Sequence, residues 1–189
     1  MPSDQFSSDS GEYVFNTGNN TTTCNSSTPC NSYYSWLVAT AGGKDTSGNA
    51  VTGNGYNTAY SICPKGWRLT TSTTSNASAT SNNNWKTGDF YALATAYGAD
   101  LSGNYLVNSG STASAFYNNA GPGTTPNFLL AGYYGGGSFS NGGSVGYYWS
   151  ATSRSSTTVY ILTFNSGNVN SADFSSRRGG FPVRCIFGA

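Results

Sequence analysis

Apolar residues in this chain come in short runs between long polar stretches, and one run carries clear helical periodicity. Between residues 88 and 98, Phe90, Leu93, Ala94 and Tyr97 fall at i, i+3, i+4 and i+7. Thr87 is placed to cap that helix, Asp89 suits the positive end of its dipole, and Gly98 supplies a stop. A shorter helical turn is expected at 111–117. Strands are predicted at 12–17, 127–134, 144–150, 157–164 and 180–187, with an aromatic segment at 33–38. The turn Asn165-Ser166-Gly167-Asn168 predicts a hairpin joining 157–164 to a strand around 169–174. The segment 62–69 reads as extended core with a turn at Gly66, whereas 40–58 and 70–84 read as polar loop and polar insert, and 1–11 as frayed chain. Alternation along 157–164 puts Tyr160, Leu162 and Phe164 on one face and Val159, Ile161 and Thr163 on the other. Val159 and Ile161 would each gain about 1.5–3 kcal/mol if covered, either by a binding partner or by the N-terminal extension.

Composition changes this picture in one respect. The chain has 29 Ser, 23 Thr, 21 Asn and 25 Gly among 189 residues, a proportion that raises the question of disorder. A net charge of only +1 and an aromatic content of 15% argue instead for a folded core. The helix-poor, turn-rich pattern then predicts an α+β globule.

The titratable residues exclude most chemistry. There is no His, one Glu (Glu12), and the six Asp are scattered without a motif. Imidazole-dependent acid–base and nucleophilic catalysis and most zinc sites are therefore out of reach, and neither an enzyme activity nor a metal or other cofactor is expected. With no basic cluster, nucleic acid is not an expected partner. No apolar run approaches the roughly 20 residues of a membrane span. The start of the chain has neither the basic nor the apolar region of a secretion leader.

Four cysteines allow three pairings; the favoured one joins Cys24 to Cys30 and Cys63 to Cys185, with buried reduced thiols as the alternative. An even count in so polar a chain fits an oxidising compartment.

The segment Ile62-Cys63-Pro64-Lys65-Gly66-Trp67-Arg68-Leu69, the helix after it, Tyr148-Trp149-Ser150-Ala151-Thr152 and Gly180-Phe181-Pro182-Val183-Arg184-Cys185 occur in the order typical of the Fibrobacter succinogenes major paralogous domain family. The chain resembles that family over roughly residues 33–187, departing at Thr70-Thr71 where Pro-Thr is usual. The resemblance implies a C-type lectin-like fold, with a small twisted antiparallel sheet, one or two helices, long loops and a disulfide between early and late strands. It also implies an N-terminal polar extension at 1–30 and the lectin-like domain at 31–189. The same fold carries the variable proteins of diversity-generating retroelements, in which adenine-directed mutagenesis rewrites a C-terminal ligand-binding face. Residues 144–185 suit such a variable region, for they contain no Lys, Glu, Gln or Met, residues that mutation of an AAC codon at its adenines does not reach.

The expectation is thus a binding protein on a cell or virion surface that recognises a protein or another macromolecule, with an undiversified adhesive module of a prokaryotic envelope as the alternative. The ligand-binding residues expected are Tyr147, Ser153, Arg154, Val159, Ile161, Asp173, Phe174, Ser175, Arg178 and Gly179. Trp67, Trp149 and Phe181 are expected in the core, Arg177 and Arg184 look like fixed positions, and Arg68 and Arg184 are expected to meet carbonyls or a carboxylate. Calcium-dependent sugar binding is not expected, because the Glu-Pro-Asn and Trp-Asn-Asp type motifs are missing. The redox-active cysteines of formylglycine-generating enzymes have no counterpart either.

Overall fold

A computed structural model describes residues 14–16, 32–41, 55–56, 61–73, 86–101, 106–107, 111–120 and 128–188. Their organising element is an antiparallel sheet of β3 (Gly55–Tyr56), β8 (Gly146–Ser153), β9 (Thr158–Phe164), β10 (Val169–Ser176) and β5 (Leu106–Val107), in the order β3-β8-β9-β10-β5. Three two-stranded ribbons surround it: β1 (Val14–Asn16) with β2 (Ser32–Tyr34), β4 (Trp67–Leu69) with β11 (Cys185–Phe187), and β6 (Tyr133–Gly135) with β7 (Ser138–Ser140). The helices are α1 (Trp36–Ala39), α2 (Asp89–Ala96) and α3 (Ser111–Ala120). The architecture is α+β with small antiparallel sheets.

The predicted hairpin between β9 and β10 forms for a local reason. The Asn165 side-chain oxygen accepts the N–H groups of Gly167 (2.7 Å) and Asn168 (2.9 Å), closing the turn before the ladder begins at Phe164 opposite Val169. β8 then joins β9 with Tyr148 opposite Leu162 and Trp149 opposite Ile161. At Gly146 a Cβ would lie 2.3 Å from a Phe164 ring carbon, so only glycine lets that ring cross β8.

Core packs on both sides of the sheet. On the helix face, Tyr148, Leu162, Phe164 and Val169 meet Phe90 and Ala94 of α2, Ala113 and Phe116 of α3, and Phe128. Phe164 meets the Phe116 ring edge-on at 5.2 Å, and Phe128 meets Tyr148 edge-on at 5.1 Å. On the opposite, ribbon face, Trp149, Ala151, Val159 and Ile161 pack with Trp36, Ala39, Leu69 and Phe181. β9 is therefore buried on both faces. The continuous apolar run Val159-Tyr160-Ile161-Leu162 is the pattern of such a strand.

Several sequence expectations need correction. The helix at 88–98 begins at Asp89, and its cap is Gly88 at φ +86° rather than Thr87, with no side-chain capping bond. A Cβ on Gly88 would fall 2.6 Å from the Ser72 backbone, so close docking of the helix start requires glycine. The second helix extends beyond 117 to Ala120. In the predicted strand 127–134 only Tyr133 and Tyr134 enter a ladder; the N–H and C=O of Leu129 bond instead to the buried Tyr148 hydroxyl. The loop 40–58 contributes β3, which edges β8 with Gly55 opposite Ser153. The predicted strand 180–187 is broken: Gly180, Phe181 and Val183 make isolated bridges to Tyr134, Tyr34 and Trp149, and only its end forms β11. Trp67 is 46% exposed rather than in the core, because it and its cross-strand partner Phe187 end a two-stranded ribbon. Residues 1–11 lie outside the described residues; of the extension, Val14–Asn16 forms β1 and pairs with β2.

The insert 70–84 also begins inside the molecule. Ser72 and Thr73 are buried; the Ser72 N–H bonds to the Thr152 hydroxyl (2.9 Å), and the Ser72 hydroxyl donates to the Ser171 carbonyl (2.9 Å). With Ser150, whose hydroxyl donates to the Tyr160 carbonyl (2.7 Å), they form an internal seam of hydroxyl groups.

α2 is fixed to β4 by charge. The Arg68 guanidinium donates to both Asp89 carboxylate oxygens (2.5 and 3.1 Å), and the Thr71 N–H and hydroxyl donate to the same carboxylate. Burial pushes the Asp89 pKa up, but these hydrogen bonds and the Arg68 charge outweigh it and hold the pKa below its ordinary 3.8. A carboxyl depressed in the folded state stabilises the fold above its unfolded pKa, and that contribution is lost as pH falls through the folded value. Urea midpoints of the wild-type chain are thus expected to drop from about pH 4 downward more steeply than those of Asp89→Asn. Parallel midpoint curves for the two proteins would remove Asp89 from the account of acid sensitivity.

Candidate functional site

Cys63 and Cys185 form a disulfide, their Cα atoms 5.7 Å apart across 122 positions of chain, tying the segment before β4 to the start of β11. Cys24 and Cys30 lie outside the described residues. β4 is in turn tied to the sheet, for the Thr70 carbonyl just after it accepts the Ala151 N–H of β8 (2.7 Å).

The turns after β8 and β10 lie side by side. Arg177 N–H bonds to the Thr157 carbonyl (3.1 Å), Ser176 stands opposite Thr158, and the Arg177 guanidinium donates to the Ser153 hydroxyl (2.5 Å) and the Ser155 carbonyl (2.5 Å). The same guanidinium lies 4.5 Å from the centre of the Trp36 ring, and the Arg177 carbonyl accepts the Trp36 N–H. Burial lowers the Arg177 pKa from its ordinary value. Its Nε is buried without a hydrogen-bond partner. Arg177 thus clasps the turns together from beneath; the sequence marks it only as a fixed-looking position beside Arg178.

Above the clasp the predicted residues separate. Phe174 is 49% exposed, and the Arg154 guanidinium lies 3.8 Å from the centre of its ring. Phe174 stands opposite Tyr160, so the pair occupies the rim of the helix face. Arg178 is exposed in the turn after β10. The outer side of this half of β10 is uncovered by β5, which pairs only with Val169 and Asn170.

Tyr147 and Asp173 lie on the other face. Asp173 stands opposite Ile161 and accepts the Thr163 hydroxyl (3.1 Å); Thr163 in turn stands opposite Tyr147. The half-buried Tyr147 ring meets Tyr133 at 5.2 Å and Phe181 at 5.6 Å, and its hydroxyl accepts the Asn141 side-chain amide (2.9 Å). Burial raises the Tyr147 pKa, opposed by the Asn141 hydrogen bond and reinforced by Tyr133 and Asp173. Tyr133 belongs to this second patch, as does Asn141, which the sequence expectation lacked; the φ of +60° at Asn141 had no sequence signal beyond the Asn-Gly pair.

Val159, Ile161 and Ser153 are not surface residues. Val159 and Ile161 are sealed beneath Trp36, Trp149 and Phe181, and the buried Ser153 hydroxyl serves the Arg177 clasp. The cover over Val159 and Ile161 includes α1 and the segment at Phe181, both within 31–189. Ser175 stands half-buried opposite Val159. Gly179 is half-buried, with room for a Cβ denied by the Phe181 ring at 2.6 Å. The predicted set therefore resolves into a rim with Arg154 and Phe174 and the exposed Arg178, one patch behind the sheet, Tyr147–Asp173, three core residues, Ser153, Val159 and Ile161, and the half-buried Ser175 and Gly179.

The rim offers an exposed apolar ring and guanidinium donors. Among the described residues no helix is long and apolar enough to cross a membrane. No protein family, curated protein or solved structure matches the chain.

Proposed function

We propose that this chain is a non-catalytic binding module with a C-type lectin-like fold, displayed on a cell or virion surface, whose C-terminal region presents a site for a protein or another macromolecule. The observation that carries this reading is the exposed Phe174 ring held under Arg154, with Arg178 exposed in the turn that follows the same strand. Aromatic and Arg side chains are over-represented among residues that dominate binding energy, and a ring pre-set by a stacked cation loses little freedom on binding. The disulfide between Cys63 and Cys185 supports an oxidising compartment.

The reading includes diversification by a retroelement. Within 144–185 the positions able to change without disturbing the core are exposed ones such as Ser156, Thr157, Phe174, Ser176 and Arg178, together with the rim position Arg154. A template repeat beside a reverse transcriptase gene is expected to differ from the coding sequence at adenines in those codons and to spare the Val159 and Ile161 codons. A complete locus lacking both elements leaves an undiversified adhesive module in its place.

Binding is tested by probing an array of surface proteins and glycans with the wild-type chain and with Phe174→Ala/Arg178→Ala. Loss of two such anchors is expected to weaken each array hit by about tenfold or more. Thermal stability is expected to change by no more than about 0.5 kcal/mol, since both side chains are exposed. Hits that survive the double substitution at full strength overturn the assignment of the site.

A further inference from the structure

We infer that the Arg154–Phe174–Arg178 rim recognises an acidic protein segment, one in which carboxylates alternate with apolar side chains; this rests on the binding site proposed above. The first support is the placement of charge. The whole chain carries a net charge of only +1, yet residues 144–185 contain Arg154, Arg177, Arg178 and Arg184 against the single carboxylate of Asp173. Three of these four arginines lie on the two turns clasped side by side. Asp173 is the one carboxylate of this stretch, and its oxygens accept the Thr163 hydroxyl and the Phe174 N–H, so four guanidinium groups stand against a single carboxylate that is already hydrogen-bonded within the chain. Arg177 spends its hydrogen bonds on a hydroxyl and a carbonyl and its face on Trp36, all neutral groups. Its positive charge therefore adds to the field at the rim instead of being cancelled there.

The second support is the mode of contact that the strand edge permits. Phe174 and Ser176 alternate with the residues that bond to β9, so their backbone groups face outward. Two of those groups are already closed: the Phe174 N–H by Asp173 Oδ1 (2.9 Å) and the Ser176 carbonyl by the Gly179 N–H (3.0 Å). With half of the edge satisfied internally, an added strand gains little, and recognition falls to side chains. Those side chains are an exposed ring, which wants an apolar neighbour, and guanidinium groups, which pair carboxylates with two parallel N–H bonds.

The test uses three fluorescein-labelled peptides, alternating Glu and Leu, Gln and Leu, or Lys and Leu, titrated by anisotropy against the wild-type chain, Phe174→Ala and Arg178→Glu. Circular dichroism confirms that each variant is folded. The Glu–Leu peptide is expected to bind about tenfold more tightly than the Gln–Leu peptide, to weaken with salt, and to lose about tenfold on either substitution. If Phe174→Ala weakens binding while Glu–Leu and Gln–Leu peptides bind alike and Arg178→Glu is silent, the acidic partner is overturned and the binding surface stands. If neither substitution changes binding of any peptide, both are overturned. Heparin competing equally well against wild type and Phe174→Ala would assign the rim to a polyanion in general and overturn the acidic segment.

Discussion

Replacing Trp149 by alanine is expected to destabilise the fold by roughly 3–5 kcal/mol, a large share of the stability of any domain this size. The indole is fully buried at the centre of the ribbon-face cluster, with the Phe181 ring edge-on at 4.4 Å. Its Nε1–H donates to the Tyr34 carbonyl (2.6 Å), and its backbone N–H donates to the Pro182 carbonyl (3.0 Å). The side chain thus fills space and also bonds to β2, so alanine leaves a cavity and removes one of two hydrogen bonds to the Tyr34 carbonyl, which keeps the Phe181 N–H (3.1 Å). Trp149→Phe separates the two effects: it keeps most of the volume and loses one hydrogen bond to a carbonyl that still has another, which costs about 0.5–1.5 kcal/mol. Urea unfolding of both variants checks this. A loss below about 1 kcal/mol for the alanine variant would show that the ribbons hold to the sheet by other means.

The second large effect is expected from opening the cross-link. Cys63 and Cys185 are 122 positions apart, and in the chain-entropy account closing a loop of about that length stabilises by close to 5 kcal/mol. Cys63→Ala/Cys185→Ala is therefore expected to shift the urea midpoint strongly, and reductant is expected to shift that of the wild-type chain at least as far. Cys185 stands opposite Leu69 in the β4–β11 ribbon, whose next residue Thr70 bonds to Ala151 of β8. Loss of the bond should thus loosen the ribbon first, seen as early hydrogen exchange at 67–69 and 185–187. An unchanged midpoint in the double variant would mean that packing at Leu69 already holds the ribbon.

Much of this architecture is legible in the residues wherever the cause is local. The Asn165 turn carries its own hydrogen bonds, α2 has its apolar stripe, and Trp149 and Phe181 are large enough to demand burial. What escapes is decided at long range. Ser72 and Thr152 look like surface residues, and they are buried because each satisfies the other across 80 positions of sequence. Trp67 looks like core but ends a two-stranded ribbon and is 46% exposed. At the site, alternation along β9 correctly separates two faces but does not reveal that Trp36 and Phe181 close the second one. Phe174 and Arg178 are exposed as expected, because β10 leaves the cover of β5 after Asn170. Asp173 falls behind the sheet through a shift of register between Asn170 and Asp173 that no residue type announces, and Tyr147 lies there because it stands opposite Thr163.

The clasp made by Arg177 has a consequence for how this molecule can change over generations. The side chain that locks the two turns points beneath them, toward Ser153, Ser155 and Trp36, whereas the neighbouring Arg178 and the nearby Phe174 point out. Anchorage and display are thereby assigned to different residues. A mutation that rewrites the outward groups leaves the hinge pins untouched, so new specificities can be sampled without first solving the folding problem again.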